Sequence, residues 1–430
     1  MLTNSSSAAA ATPSRPRWLL AAAVATTAAL GACAAAPPQA AGRPANEAQS
    51  LDDAVASLTT KLLARARVDG AEKRVLVVDP VIDRATGNQA AVTRAMEPRM
   101  LRAVSQGYPH IEPAAFNLAA LDRQPIVLVG CTTSVDAPGT AMPPTGGRAK
   151  AYRIWASLAD LRTGKFISNE EVAWVRPEDM DMTPTPFFQD SPAWTVSGGM
   201  SAHLQACAGD MGDTVSAAYL NGIKAAAAVN DAIAAYEGGR YPEALALYTQ
   251  ASLLPGGDQM RVWNGMYLSD LALGRSQEAE QAFGRMVDAG LTQGKLGVKF
   301  VFRPGSVQFW SDKAVSGQYP AWLRQIAQRS IARDTCLLVL GHTSPTGTPA
   351  VNDALSEQRA QFVRGQLVQR APVLRVRTEA EGARLARSNR RHRGGQCDRC
   401  AGPPRGFRAA CLWPAGEQPG VGPHLSTPAA

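Results

Sequence analysis

Residues 336–360 read C-L-L-V-L-G-H-T-S-P-T-G-T-P-A-V-N-D-A-L-S-E-Q-R-A. The apolar run Cys336 to Leu340 predicts a buried strand, and it stops at the polar turn Gly341-His342-Thr343. A Gly/Pro-rich loop then leads into an amphipathic helix. Asn352 is expected as the helix N-cap, because its side chain can accept a bond from an otherwise orphaned backbone N–H. Asn352, Ser356 and Arg359 fall at i, i+4 and i+7 and so share one face. Val351, Leu355, Phe362, Val363 and Leu367 are expected to form the apolar stripe that packs on the sheet. Strand, turn and helix together predict a small α+β domain with a hydrogen-bonding turn beside a fixed guanidinium.

Upstream, Lys299-Phe300-Val301-Phe302 and Ser306-Val307-Gln308-Phe309 read as a first strand, and a helix is expected from about Pro320 to Ala332. The whole pattern resembles the OmpA-like peptidoglycan-binding domain family. That family's hallmark is a strand ending G-H-T-D, a Gly a few residues on, then N-x-x-L-S-x-x-R-A on a helix. Gly341, His342, Thr343, Gly347, Asn352, Leu355, Ser356, Arg359 and Ala360 match in type and spacing, and the likeness runs from about Val298 to about Gly382. The resemblance implies a βαβαβ fold and a peptidoglycan-binding set made of Arg359, Ser344, Thr343 and Asn352. In the family the Asp and the Arg hold the diaminopimelate residue of the wall peptide. Arg359 suits that role, since a guanidinium fork binds a carboxylate bidentately and stays charged. Ser344 stands where the family has Asp; it can hydrogen-bond an ammonium but cannot neutralise it. The other reading of Arg359 is a solvated charge on the helix surface.

At the amino terminus Arg15 and Arg17 precede a 14-residue apolar stretch, Trp18 to Gly31. A basic region followed by a short apolar core is a secretory signal peptide, here residues 1–32, and it is too short to span a membrane. Its ending, Leu30-Gly31-Ala32-Cys33, resembles the bacterial lipobox. The resemblance implies that Cys33 is lipidated and that the outer membrane is the destination; the alternative is an ordinary cleaved signal with an incidental Cys33. Several acyl chains are needed for stable attachment, because each buried CH₂ contributes only about 0.8 kcal/mol. Residues 33–50 are rich in Ala, Pro and Gly and read as a flexible linker.

Residues 51–217 are expected to form an N-terminal α+β domain. Strands are predicted at Lys73 to Asp79 and Gln124 to Gly130, a helix at Ala91 to Val104, and a hairpin at Tyr152 to Asp160 and Phe166 to Val175. It is loosely similar to N-terminal domains of other outer-membrane lipoproteins. Asp79, Asp83 and Arg84 follow a strand, and the simplest reading is local turn chemistry. His110 and His203 stand isolated, without metal-ligand spacing. In residues 218–292, Gly239-x-Tyr241-x-x-Ala244-x-x-x-Tyr248-x-x-Ala251 recurs as Gly274-x-Ser276-x-x-Ala279-x-x-x-Phe283-x-x-Met286, a shift of 35 residues. This resembles the tetratricopeptide (TPR) repeat, with small Ala residues letting helices approach and Tyr248 and Phe283 filling the space between them. Two repeats should lean on a neighbouring domain. They would serve as a rigid spacer or as a groove for a periplasmic protein partner.

The formal net charge is +8, but residues 384–430 hold eight Arg against Asp398 and Glu417. The excess is therefore local, and with export it argues against nucleic acid as a partner. Residues 293–383 comprise the OmpA-like segment; after it the text becomes Arg/Gly/Pro/Cys-rich. A one-nucleotide offset across Gln396 to Arg405 permits N-A-T-D-A-L-D-R-R-V, the family ending. Residues 384–430 are accordingly read as a disordered, frameshifted tail that leaves the domain short of a strand; an intact frame on resequencing refutes that. Cys397-Asp398-Arg399-Cys400 is read as coincidence rather than half a zinc site. An oxidising compartment permits a Cys131–Cys207 disulfide and leaves Cys336 over. No phosphate-binding loop, nucleophile elbow or His-Glu-x-x-His motif occurs in the sequence, so a hydrolase is disfavoured and no cofactor is expected. Two function classes follow: an outer-membrane lipoprotein that binds peptidoglycan, or a periplasmic scaffold recruiting a wall synthase or secretion component through residues 51–292.

Overall fold

The structure is a computed structural model that describes residues 47–66, 68, 72–140, 149–193, 198–343, 348–382 and 408–413. Its architecture is mixed α/β, consistent with the α+β class. The N-terminal region opens with α1 (Leu51–Arg65), started by Ser50, whose side chain accepts a bond from the Asp53 amide at 3.2 Å. There follow β1 (Arg74–Asp83), α2 (Ala91–Gly107), β2 (Ile111–Pro113), α3 (Leu118–Leu121), β3 (Ile126–Val135), β4 (Ala151–Asp160), β5 (Lys165–Phe166), β6 (Glu171–Val175), α4 (Pro186–Asp190) and α5 (Gly198–Ala206). The sheet runs β2-β1-β3-β4-β5, with β6 also on β4; β2, β1 and β3 are parallel and the rest antiparallel.

Strand alternation divides this sheet between two cores. Leu76, Val78, Ile126, Leu128, Ile154 and Leu158 face α1 and α2. Val75, Val77, Val127, Val129 and Trp155 face the other way, against α5 and the next helix. With both faces covered, the strands must be apolar throughout, and this is why they read as runs rather than alternations. One irregularity interrupts them. Asp79 pairs with Val129 but Ile82 pairs with Cys131, so β1 carries one extra residue and bulges at Pro80-Val81.

A helical segment follows: α6 (Ala217–Glu237), α7 (Tyr241–Leu253), α8 (Met260–Ala272) and α9 (Ser276–Gln293). The 35-residue periodicity is present in the hydrogen bonds themselves. Arg240 N donates to Ala235 O at 2.9 Å and Arg275 N to Asp270 O at 2.8 Å; Gly239 and Gly274 turn the chain at φ of 71° and 74°. Those left-handed dihedrals are what restrict both positions to glycine. Ala244, Tyr248 and Ala251 are buried, as are Ala279, Phe283 and Met286 one period on. The helices do not form a separate core. Phe283 stacks on Trp322 at 5.4 Å, and Trp322 Nε1 donates to Tyr267 Oη at 2.9 Å, joining them to the C-terminal region. At the other end Tyr219, Ile223 and Ala227 of α6 lie in the N-terminal core. Helix α6 thus belongs to both sides of the boundary drawn at residue 217.

The C-terminal region holds β7 (Lys295–Lys299), α10 (Lys313–Ser316), α11 (Tyr319–Ala332), β8 (Leu337–Gly341), α12 (Pro349–Arg370), β9 (Thr378–Gly382) and β10 (Arg408–Trp413), in a parallel sheet ordered β7-β10-β8-β9. Three expectations need correction. The first strand lies earlier, at Lys295–Lys299, because the left-handed cap at Gly294 ends α9 and sends the chain straight into the sheet. Residues 301–310 instead fold back as a short excursion closed by a Phe302–Phe309 bridge, Gly305 taking a φ of 61° at its tip. The tail is not structureless throughout: residues 408–413 form a strand between β7 and β8, whose ladder groups would otherwise be open. The remaining residues of 384–430, Cys397 and Cys400 among them, lie outside the described residues. Cys336 is also disulfide-bonded rather than left over.

Helix α12 departs from its sequence reading too. It begins at Pro349 after Thr348, so Asn352 sits inside the helix and is not the cap. Proline at the first helical position needs no N–H partner, which makes it an effective starter. The buried face is Asn352, Ser356, Arg359, Ala360, Val363 and Leu367, while Val351 is 62% exposed. The reason is spacing: the first half of α12 lies so close to the strand ends that only small or narrow groups fit beneath it. Among the described residues no helix is long and apolar enough to cross a membrane.

Candidate functional site

The turn-and-helix site is built by close backbone approach. A Cβ at Gly341 would overlap the Ser356 carbonyl oxygen, and one at Gly382 would overlap the Ser356 hydroxyl. Two glycines at the carboxyl ends of β8 and β9 therefore let α12 settle onto the sheet. Ser356 Oγ turns inward and donates to Asp353 O at 2.8 Å. Thr343 Oγ1 lies 3.4 Å from the Asn352 carbonyl, bringing those two expected site residues together. Burial holds the His342 imidazole below its usual pKa.

Arg359 is 6% exposed, which excludes the solvated-charge reading. Its Nε donates to Ser306 O at 3.0 Å and its Nη2 to Arg303 O at 3.2 Å, and the guanidinium lies 4.9 Å from the centre of the Phe302 ring. The side chain is therefore fixed against the 301–310 excursion. Ser344, Gly347 and the lipidation candidate Cys33 lie outside the described residues.

A second constellation escaped the sequence reading. A pocket of about 320 Å³ opens where the N-terminal sheet meets the helical segment. On its wall the bulge in β1 presents Asp79. Its Oδ2 accepts the Tyr219 hydroxyl at 2.6 Å and faces His203 Nδ1 at 3.2 Å. Burial, then the Asp79 charge, push the Tyr219 hydroxyl well above its ordinary pKa. His203 is also aligned by Nε2, 3.2 Å from Gly130 O. Helix α5, which carries His203, is pinned to the sheet by the Cys131–Cys207 disulfide and by Ser157 Oγ donating to Ala206 O at 2.5 Å. Cys131, His203 and Cys207 cluster within 4.8 Å, but both sulfurs are committed to the bridge.

Arg261 lines the same pocket. Its Nη2 donates to Gly87 O at 2.7 Å and its guanidinium sits 5.3 Å from the Phe188 ring centre; among the described residues it has no carboxylate partner. Desolvation lowers its pKa. Asp83, by contrast, accepts from the Thr86 amide at 3.0 Å and hydroxyl at 2.8 Å, the local turn chemistry its sequence suggested. Asp79 and His203 are 124 positions apart, so no spacing rule unites them. The readable signal was narrower: an Asp-Pro step inside the apolar run Val75 to Ile82, where neither residue suits a paired strand.

No family model matches this chain, nor does any curated protein or solved structure.

Proposed function

We propose that this protein is an outer-membrane lipoprotein, anchored through Cys33 and facing the periplasm, that binds peptidoglycan non-covalently and links outer membrane to cell wall without catalysing a reaction. In this reading residues 293–383 form an OmpA-like wall-binding domain, residues 218–292 a TPR-like spacer, and residues 51–217 an N-terminal α+β domain. The observation that carries it is that the described residues bearing the resemblance cluster around one helix face. Gly341, Ser356 and Ala360 meet where α12 touches the strand ends, and Asn352 and Arg359 are buried on the same face, Arg359 held against the 301–310 excursion. Arg359 held in place beside that contact would meet a stem-peptide carboxylate without losing side-chain freedom on binding, which favours affinity. Thr343 and Asn352 border the same turn. Ser344 would hydrogen-bond the ligand but leave an ammonium unneutralised, so diaminopimelate selectivity should be relaxed.

The test is co-sedimentation of the purified mature chain with cell-wall sacculi, beside an unrelated protein of similar charge. Retention above that control, competed by free diaminopimelate and reduced by Arg359→Lys in a variant that still melts cooperatively, is expected. Pelleting no better than the control protein would remove the reading.

A further inference from the structure

We propose that the pocket between the N-terminal sheet and the helical segment is a binding site for a small zwitterion of amino-acid or dipeptide size, its carboxylate on Arg261 and its ammonium facing Asp79. Two charged side chains in the pocket are incompletely matched. Arg261 has five N–H donors, yet among the described residues it makes one hydrogen bond, to Gly87 O, and no ion pair. Arg261 is half-buried and feels the charge of Asp79 without forming an ion pair with it, so its desolvation is only partly offset until an anion reaches it. Asp79 is buried on the same pocket's wall; Oδ2 is used by Tyr219 and His203, while Oδ1 accepts no hydrogen bond among the described residues. Both side chains line the same pocket.

The walls fit the same class of molecule. Ile223, Ala226, Val229 and Ile233 of α6 supply an apolar side of mostly modest volume. Asn230 and Gln259 add amides on the pocket surface able to meet a backbone-like carbonyl or amide. About 320 Å³ lies at the lower end of ligand pockets, roughly 300–1,000 Å³, which favours a compact solute over a cofactor. Neither a simple anion nor a simple cation would satisfy both poles. A molecule carrying one charge of each sign does. This site is independent of the wall-binding reading and lies in a different part of the fold.

The experiment is isothermal titration of the full mature chain with alanine, leucine and alanyl-alanine, each compared with its carboxyl-amidated and N-acetylated forms. Saturable binding of at least one unblocked probe is expected, weakened about tenfold or more by blocking either end. Arg261→Gln should weaken the unblocked probe by a similar factor and leave the carboxyl-amidated form unchanged. Because the blocked ligands test the poles on the unaltered protein, a misfolded variant does not decide the outcome. If none of the unblocked probes binds, or blocked and unblocked forms bind alike, the proposal is overturned.

Discussion

Replacing Arg359 by Met separates a structural guanidinium from a surface charge. Methionine keeps most of the buried chain and its contact with Phe302, so the loss falls on the polar end. Among the described residues two hydrogen bonds disappear, to Ser306 O at 3.0 Å and Arg303 O at 3.2 Å, together with the cation–π attraction of a guanidinium 4.9 Å from the Phe302 ring centre. Hydrogen bonds to a charged group contribute about 1.5–3 kcal/mol each. Arg303 is exposed and Ser306 only half-buried, however, so the abandoned carbonyls regain water and the cost falls to the lower end of that range. The net expectation is about 3.5–4 kcal/mol once roughly 0.5–1 kcal/mol of cation–π attraction is included. The assay is urea unfolding followed by tryptophan fluorescence, Trp310 lying on the same excursion and Trp322 packing on Phe300 just before it. Arg359→Lys should fall between wild type and Met, because an ammonium reproduces the charge but not the two-pronged geometry. A change under about 0.5 kcal/mol, typical of surface positions, would refute the latch.

Gly341→Ala should destabilise by about 2–3 kcal/mol, since the new methyl meets the Ser356 carbonyl, a backbone atom that cannot rotate away; a neutral melting temperature would contradict the seating of α12. Tyr248→Phe should be neutral or stabilising by up to about 1 kcal/mol, because the Tyr248 hydroxyl is fully buried without a hydrogen-bond partner among the described residues and its counterpart one repeat later is already Phe283. Clear destabilisation in chemical unfolding would mean that hydroxyl is bonded after all. For pH, the His342 pKa is depressed in the fold from 6.5 by burial. The unfolded chain therefore takes up the proton first, so this residue's contribution is complete above pH 6.5 and is lost as pH falls below it. Comparing unfolding midpoints at about pH 7.5 and about pH 5.5, His342→Gln should lose less stability than wild type; equal losses would exclude the effect.

What the sequence settled by itself was local and periodic. The run Cys336 to Leu340 had to be a strand, and Gly239 and Gly274 repeat because each turn needs the same left-handed dihedral. Local chemistry also placed the helices at Ala91 and Tyr319 within a residue of their expected starts. The face of α12 was misjudged for a reason that periodicity cannot carry. Hydrophobic pattern assumes a core deep enough for large side chains, whereas here Gly341 and Gly382 meet the backbone of α12 itself and the short Ser356 side chain, leaving no room for a large one. The tertiary structure alone decided the pocket. A one-residue bulge turns Asp79 toward a histidine and a tyrosine from later helices, and contacts spanning 124 and 140 positions leave no trace in spacing. Short-range sterics are written in neighbouring residues; a charge's partner is fixed only when distant segments close on it.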